Sequence, residues 1–98
     1  MSTITRKDEK RKITSLFGSF ISYGYNTIIS NGEKHFFIDT CYTDDQGNES
    51  MVFTCDENGN VTDWSGLDCR RYFGDSEIEK VHNEMVQKWT EKLERGDK

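Results

Sequence analysis

The chain has 98 residues and a mass of 11.4 kDa, which gives room for one hydrophobic core and not for two. Apolar residues make up only 33% and charged residues 32%, but aromatics reach 12%, which excludes a fully disordered chain. No segment approaches eighteen consecutive apolar residues, so a membrane-spanning helix is excluded as well.

The formal net charge of −5 is unevenly spread. Residues 1–13 carry five bases, Arg6, Lys7, Lys10, Arg11 and Lys12, against Asp8 and Glu9, a net of +3. Residues 14–69 carry one base, Lys34, against nine acids, a net of −8. Residues 70–98 balance at zero. A middle section of this kind repels phosphate and attracts basic surfaces.

The first predicted element is a helix over Arg6–Ser22. Ile13, Leu16, Phe17, Phe20 and Ile21 fall at i, i+3, i+4, i+7 and i+8, one face of a 3.6-residue period. Thr5 could cap its first turn, with Asp8 three residues on. Gly18 costs about 1 kcal/mol of helix propensity inside this pattern, and a strand at Leu16–Ile21 is the competing reading. Gly24 breaks the element.

Four short strands are expected next. Tyr25–Ser30 is rich in β-formers, and Asn31-Gly32 is a two-residue hairpin signal. Glu33–Thr43 is the second strand, residues 44–48 a turn, and Glu49–Asp56 the third strand. Asn58-Gly59 signals a type I′ turn before a fourth strand at Val61–Trp64. If Glu57 faces Asn60, Phe53 faces Trp64, and Met51, Phe53, Cys55, Thr62 and Trp64 share one side. On the second strand Phe36, Ile38 and Tyr42 form the better core set, with Phe37, Asp39 and Cys41 opposite. Short connections make the strands an antiparallel meander.

Residues 65–75 read as a link, with Leu67, Tyr72 and Phe73 folding back on the core. The last helix, Ser76–Arg95, is the clearest element. Ser76 and Glu79 suit a capping box, and Ile78, Val81, His82, Met85, Trp89 and Leu93 follow at helical spacing, with Val86 widening the stripe. The expected fold is α+β: a four-stranded antiparallel meander in one domain, with an N-terminal and a C-terminal helix packed on one face. The face Phe36/Ile38/Phe53/Trp64 would receive them.

Three cysteines, Cys41, Cys55 and Cys69, stand fourteen residues apart. Their odd number and spacing point to free thiols and not to a disulfide framework or a zinc site. No continuous apolar stretch follows the basic N-terminus, so the chain reads as cytoplasmic. No catalytic motif, metal spacing or cofactor loop is present, and a non-enzymatic chain without cofactors is expected. His35 and Cys41 would share a side of one strand yet lie about 20 Å apart. His82 reads as a packing residue of the last helix.

Two binding readings follow from the charge map. The first is a protein-binding domain that docks on a basic surface through Asp39, Asp44, Asp45, Glu49, Asp56, Glu57 and Asp63. The second is a small nucleic-acid binder using Arg6, Lys7, Lys10, Arg11 and Lys12 with Arg70 and Arg71. The acidic middle disfavours it. Monomer and homodimer are equally expected, and no membrane partner is.

A short acidic chain rich in aromatics, with this element order, resembles small inhibitors carried by bacteriophages and mobile elements, some anti-CRISPR proteins among them. The likeness lies in composition and order of elements, not in any residue motif. It implies a short antiparallel sheet with flanking helices and an inhibitor that mimics DNA or blocks a nuclease.

Overall fold

A computed structural model of the protein describes residues 4–14, 16–18, 20–43, 47–72 and 78–95. Five strands precede one helix: β1 Thr5–Thr14, β2 Phe20–Ser30, β3 His35–Thr43, β4 Gly47–Cys55, β5 Val61–Tyr72 and α1 Ile78–Arg95. Each strand pairs antiparallel with the next, so the meander is real, in the order β1-β2-β3-β4-β5.

The expected N-terminal helix is not there. Its residues form β1, the β1–β2 hairpin and the start of β2, paired from Thr5↔Ser30 to Thr14↔Phe20. Two physical signals outweigh the helical spacing. Ile21, Tyr23, Tyr25, Thr27 and Ile29 alternate with period two and extend the β-rich run upstream through Gly24. Gly18 has φ +83°, a value for a chain reversal and not for a helix. Leu16 and Phe17, placed in the core by the helical reading, lie at the hairpin tip and are 102% and 96% exposed.

Both narrow turns differ from the expected type. Type I′ needs positive φ at both central residues, and among the described residues no non-glycine has it. At the β2–β3 turn Asn31 N–H donates to Lys34 O at 3.2 Å, so Gly32 and Glu33 are the central pair, with Gly32 at φ +95°. At the β4–β5 turn Gly59 N–H donates to Asp56 O at 3.0 Å, with Gly59 at φ +87°. That is a turn closed by a left-handed glycine, the three-residue hairpin geometry. The pairing shifts with it: Cys55 faces Val61, not Thr62. β5 also runs on to Tyr72, through most of what reads as a link.

α1 lies across β2, β3 and β4. Its stripe of Val81, His82, Met85, Val86, Trp89 and Leu93 is buried, and Met85, Val86, Trp89 and Leu93 pack on Ile29, Phe36, Ile38 and Val52. The register decides which strand residues join them. Ile38 pairs with Val52, whereas Phe53 pairs with Phe37. Phe53 and Trp64 therefore leave the helix side, and the face Phe36/Ile38/Phe53/Trp64 is split between two sides of the sheet. Trp89 sits edge-on to Phe36 with ring centroids 5.1 Å apart, and its Nε1–H donates to Asp68 Oδ2 at 3.0 Å.

Each edge of the sheet carries a device against further pairing. β1 presents Arg6, Lys7, Lys10, Arg11 and Lys12 along an exposed edge strand, and charge of this kind opposes edge-to-edge association. β5, at the other edge, is interrupted by a bulge.

Candidate protein-docking surface

The face of the sheet away from α1 is built around that bulge. The pairing steps from Thr54↔Asp63 to Val52↔Asp68, so Phe53 alone stands opposite Trp64, Ser65, Gly66 and Leu67. Asp63 Oδ1 accepts the Ser65 N–H at 2.9 Å and closes the start of the excursion. Gly66, at φ +53°, turns the chain back, and a Cβ there would stand 3.1 Å from Met51 Cε. The excursion places Trp64 edge-on against Phe53, ring centroids 5.2 Å apart and planes at 62°. Phe53 is 7% exposed beneath it, while Trp64 itself remains 72% exposed. A large aromatic held by local geometry with most of its surface in water is the type of group that anchors protein interfaces.

The β4–β5 turn lies over the neighbouring part of the same face. A Cβ on Gly59 would come 2.5 Å from Ile28 Cδ1, so any other residue there needs the end of the Ile28 side chain to move as well as a left-handed backbone. Asp56 organises the turn: its Oδ1 accepts the N–H groups of Asn60 and Asn58, each at 2.9 Å. Those donors hold its carboxyl below the usual range, and the Ser65 hydroxyl and N–H do the same for Asp63. Glu57 is exposed beside Asp56. Among the described residues no cation pairs with Asp56, Glu57 or Asp63.

The other sequence-predicted acids have different fates. Asp39 pairs with Arg11 at 3.5 Å and Glu49 with Arg71 at 3.0 Å, both on the outer face. Burial raises the Asp39 pKa despite Arg11. Asp44 and Asp45 lie outside the described residues. The acidic set thus contracts to Asp56, Glu57 and Asp63, at the turn and bulge beside Trp64.

The basic set is divided. Arg6, Lys7, Lys10, Arg11 and Lys12 lie on β1, while Arg70 and Arg71 lie on β5, at the opposite edge. Four strand spacings separate the two edges, roughly 19 Å. Several of these bases are also engaged: Arg6 with Asp8 at 3.0 Å, Arg70 with Glu84 at 3.2 Å, and Lys10 over the Tyr25 ring at 5.6 Å. The pairs of Arg11 and Arg71 join one residue of each predicted set.

On the helix side a polar cavity of about 400 Å³ opens between β1, β2 and α1, with Arg6, Asp8, Lys10, Tyr25, Glu79 and Asn83 in its wall. Behind it runs a hydrogen-bonded chain. Thr27 Oγ1 donates to Asp8 Oδ1 at 2.6 Å and lies 2.7 Å from His82 Nε2. His82 Nδ1 lies 2.6 Å from Thr40 Oγ1, which is 2.8 Å from Ser50 Oγ. Thr27, Thr40, Ser50 and His82 are all buried. Burial lowers the His82 pKa to about 4, with Arg6 adding to the effect and Asp8 opposing it. A ring neutral at pH 7 and enclosed by two hydroxyls is placed to join helix to sheet. Among the described residues no three His, Cys, Asp or Glu side chains gather as a metal site.

Sequence reasoning missed the exposure of Trp64, Leu16 and Phe17. A readable signal existed for the first: Gly66 inside a strand pattern marks a bulge. Cys41 is half-buried, Cys55 buried and Cys69 exposed, and all three are free thiols. No helix among the described residues is long and apolar enough to cross a membrane. Comparison of the chain with protein-family models, with curated proteins and with solved structures finds no match in any of the three.

Proposed function

We propose that this chain is a non-enzymatic protein-binding domain that docks through the outer face of its sheet, with Trp64 as the anchor and Asp56, Glu57 and Asp63 as its acidic rim. The observation that carries the reading is Trp64 itself, fixed over Phe53 by a four-residue bulge yet 72% exposed. The fitting partner presents an apolar recess bordered by bases. Nucleic-acid-handling proteins offer basic working surfaces, and inhibition of one is the role that the resemblance to phage-borne inhibitors implies.

The test starts from partners recovered from a lysate by the purified domain at low salt. The expected partner is basic, and both Trp64→Ala and the triple variant Asp56→Asn/Glu57→Gln/Asp63→Asn lose it. Loss of an anchoring tryptophan weakens binding by about thirtyfold or more. A random duplex and a single strand are run in parallel. Tight nucleic-acid binding that disappears in Lys7→Gln/Lys10→Gln/Lys12→Gln overturns the docking reading in favour of the basic strand β1.

A further inference from the structure

A second cavity lies on the helix side of the sheet, at the end where the β2–β3 turn meets β4 and α1. Its volume is about 570 Å³, within the usual range for small-molecule sites. The inner wall is apolar, made by Phe36 and Trp89 with Leu67, and Cys55 borders it at the end of β4. Phe36, Trp89 and Cys55 are buried, while Leu67, at the end of the bulge, is half-exposed at the mouth. The one polar atom of the Trp89 ring is already occupied, because Nε1–H donates to Asp68. The Lys92 ammonium stands 5.3 Å from the centroid of the same ring, so Trp89 offers the cavity the part of its apolar surface that Lys92 leaves.

The charged groups stand on one rim, on the neighbours Glu33 and Lys34, with His35 next to them. Among the described residues no carboxylate lies within ion-pair distance of Lys34, and neither its ammonium nor the His35 ring makes a side-chain hydrogen bond. The Lys34 backbone is fixed nonetheless, since its N–H donates to Asn31 Oδ1 at 2.8 Å. An unpaired cation at the mouth of an apolar chamber complements an amphipathic molecule with a negative head. Glu33 beside it opposes a second negative charge, which limits the head to one.

We propose that this cavity binds a small amphipathic monoanion, with its apolar body against Phe36, Trp89 and Leu67 and its acid group on Lys34. The site is distinct from the docking surface, because Trp64 stands on the opposite face of the sheet, although Leu67 belongs to the same bulge.

The chain contains two tryptophans, so the full-length Trp64→Phe protein leaves Trp89 as the only indole. Dodecanoate, titrated below its micelle concentration, should change Trp89 emission saturably at one site per chain. Lys34→Gln should weaken dodecanoate roughly fivefold, as expected for one exposed ion pair. Leu67→Glu, which sets a carboxylate at the mouth, should abolish binding. Dodecyltrimethylammonium should bind more weakly than dodecanoate. Absence of a saturable response, equal binding of the cationic probe, or dodecanoate affinity unchanged in Lys34→Gln would overturn the proposal. The Lys34 change lies on a surface turn, so this readout survives even if Leu67→Glu fails to fold.

Discussion

The hydroxyl of Thr27 stands 2.7 Å from Nε2 of His82, and the direction of that hydrogen bond sets the tautomer of the ring. Thr27 has one proton and gives it to Asp8, so its oxygen must accept from His82 Nε2–H. Nδ1 is then the bare nitrogen and accepts from the Thr40 hydroxyl, whose oxygen in turn accepts from Ser50. The chain runs in one sense, from Ser50 on β4 to the Asp8 carboxylate on β1, and the helix joins it through a single side chain.

The first prediction follows from that ring. His82 has a folded-state pKa of about 4 against an ordinary 6.5, so the unfolded chain binds a proton over a range where the native chain does not. Stability is then full above about pH 6.5 and falls as pH drops towards about 4, by about 3 kcal/mol. The charged groups facing the ring are Arg6 and Asp8 from β1, and the Tyr25 ring lies 5.6 Å away from β2. Asp8 and Asp68 have lowered pKa values, because hydrogen bonds outweigh the burial that pushes them up. Their contributions are present above their ordinary value of 3.8 and go only at lower pH, so the two windows separate. Urea unfolding across this range should show the upper step in the native sequence and lose it in His82→Gln. Thr40→Val should cost about 1–3 kcal/mol at neutral pH by leaving Nδ1 without a donor.

The two tryptophans should respond in opposite ways. Trp89→Ala removes a buried ring from Phe36 and should cost about 3–5 kcal/mol in urea unfolding. Trp64→Ala should cost below about 1 kcal/mol, since most of its surface is already in water, while eliminating partner binding. A large stability loss at Trp64 would make it a packing residue and remove the docking anchor.

Gly59 and Gly32 both have positive φ, but only Gly59 has a neighbour in the way. Gly32→Ala should lose about 1–2 kcal/mol for backbone strain alone. Gly59→Ala should lose more, because its Cβ meets Ile28 Cδ1. The added Ile28→Val change removes that carbon and should return the Gly59→Ala loss towards that of Gly32→Ala. Equal losses in the two alanine variants, measured by urea unfolding, would show that the end of the Ile28 side chain swings aside at no cost.

The thiols should alkylate in the order Cys69, Cys41, Cys55 under reducing conditions. Cys69 is exposed. Burial, reinforced by Asp39, raises the Cys41 pKa, and burial also raises that of Cys55, so less thiolate is present at either. Mass spectrometry of a timed reaction reads the order directly. Rapid reaction of Cys55 would place it on an open surface.

Patterns in single segments were enough for part of this fold. The α1 stripe was readable because six apolar or half-polar residues keep the 3.6-residue period over one continuous run. The part of the meander from β2 to β5 was readable because each of its three turns combines Gly with Asn or Asp between β-rich runs. The same local logic misplaced residues 6–22. Five apolar residues that straddle a hairpin tip imitate a helix face, and β1 has no apolar alternation of its own. It exists as a strand because β2 offers it a backbone to pair with, and pairing between distant segments leaves little trace in a charged edge strand.

The sequence by itself determined that Phe36 and Ile38 face a core, that Trp89 fills it, and that the middle of the chain is acidic. Each of these depends on one residue type or one local period. Only the tertiary structure decided which acids keep their charge unpaired, because Arg11 and Arg71 reach Asp39 and Glu49 across strands. It also decided the side on which Phe53 and Trp64 lie. The period of a strand is two, so which side a residue takes depends on its pairing with the next strand, and a bulge of a few residues moves an expected core tryptophan into water.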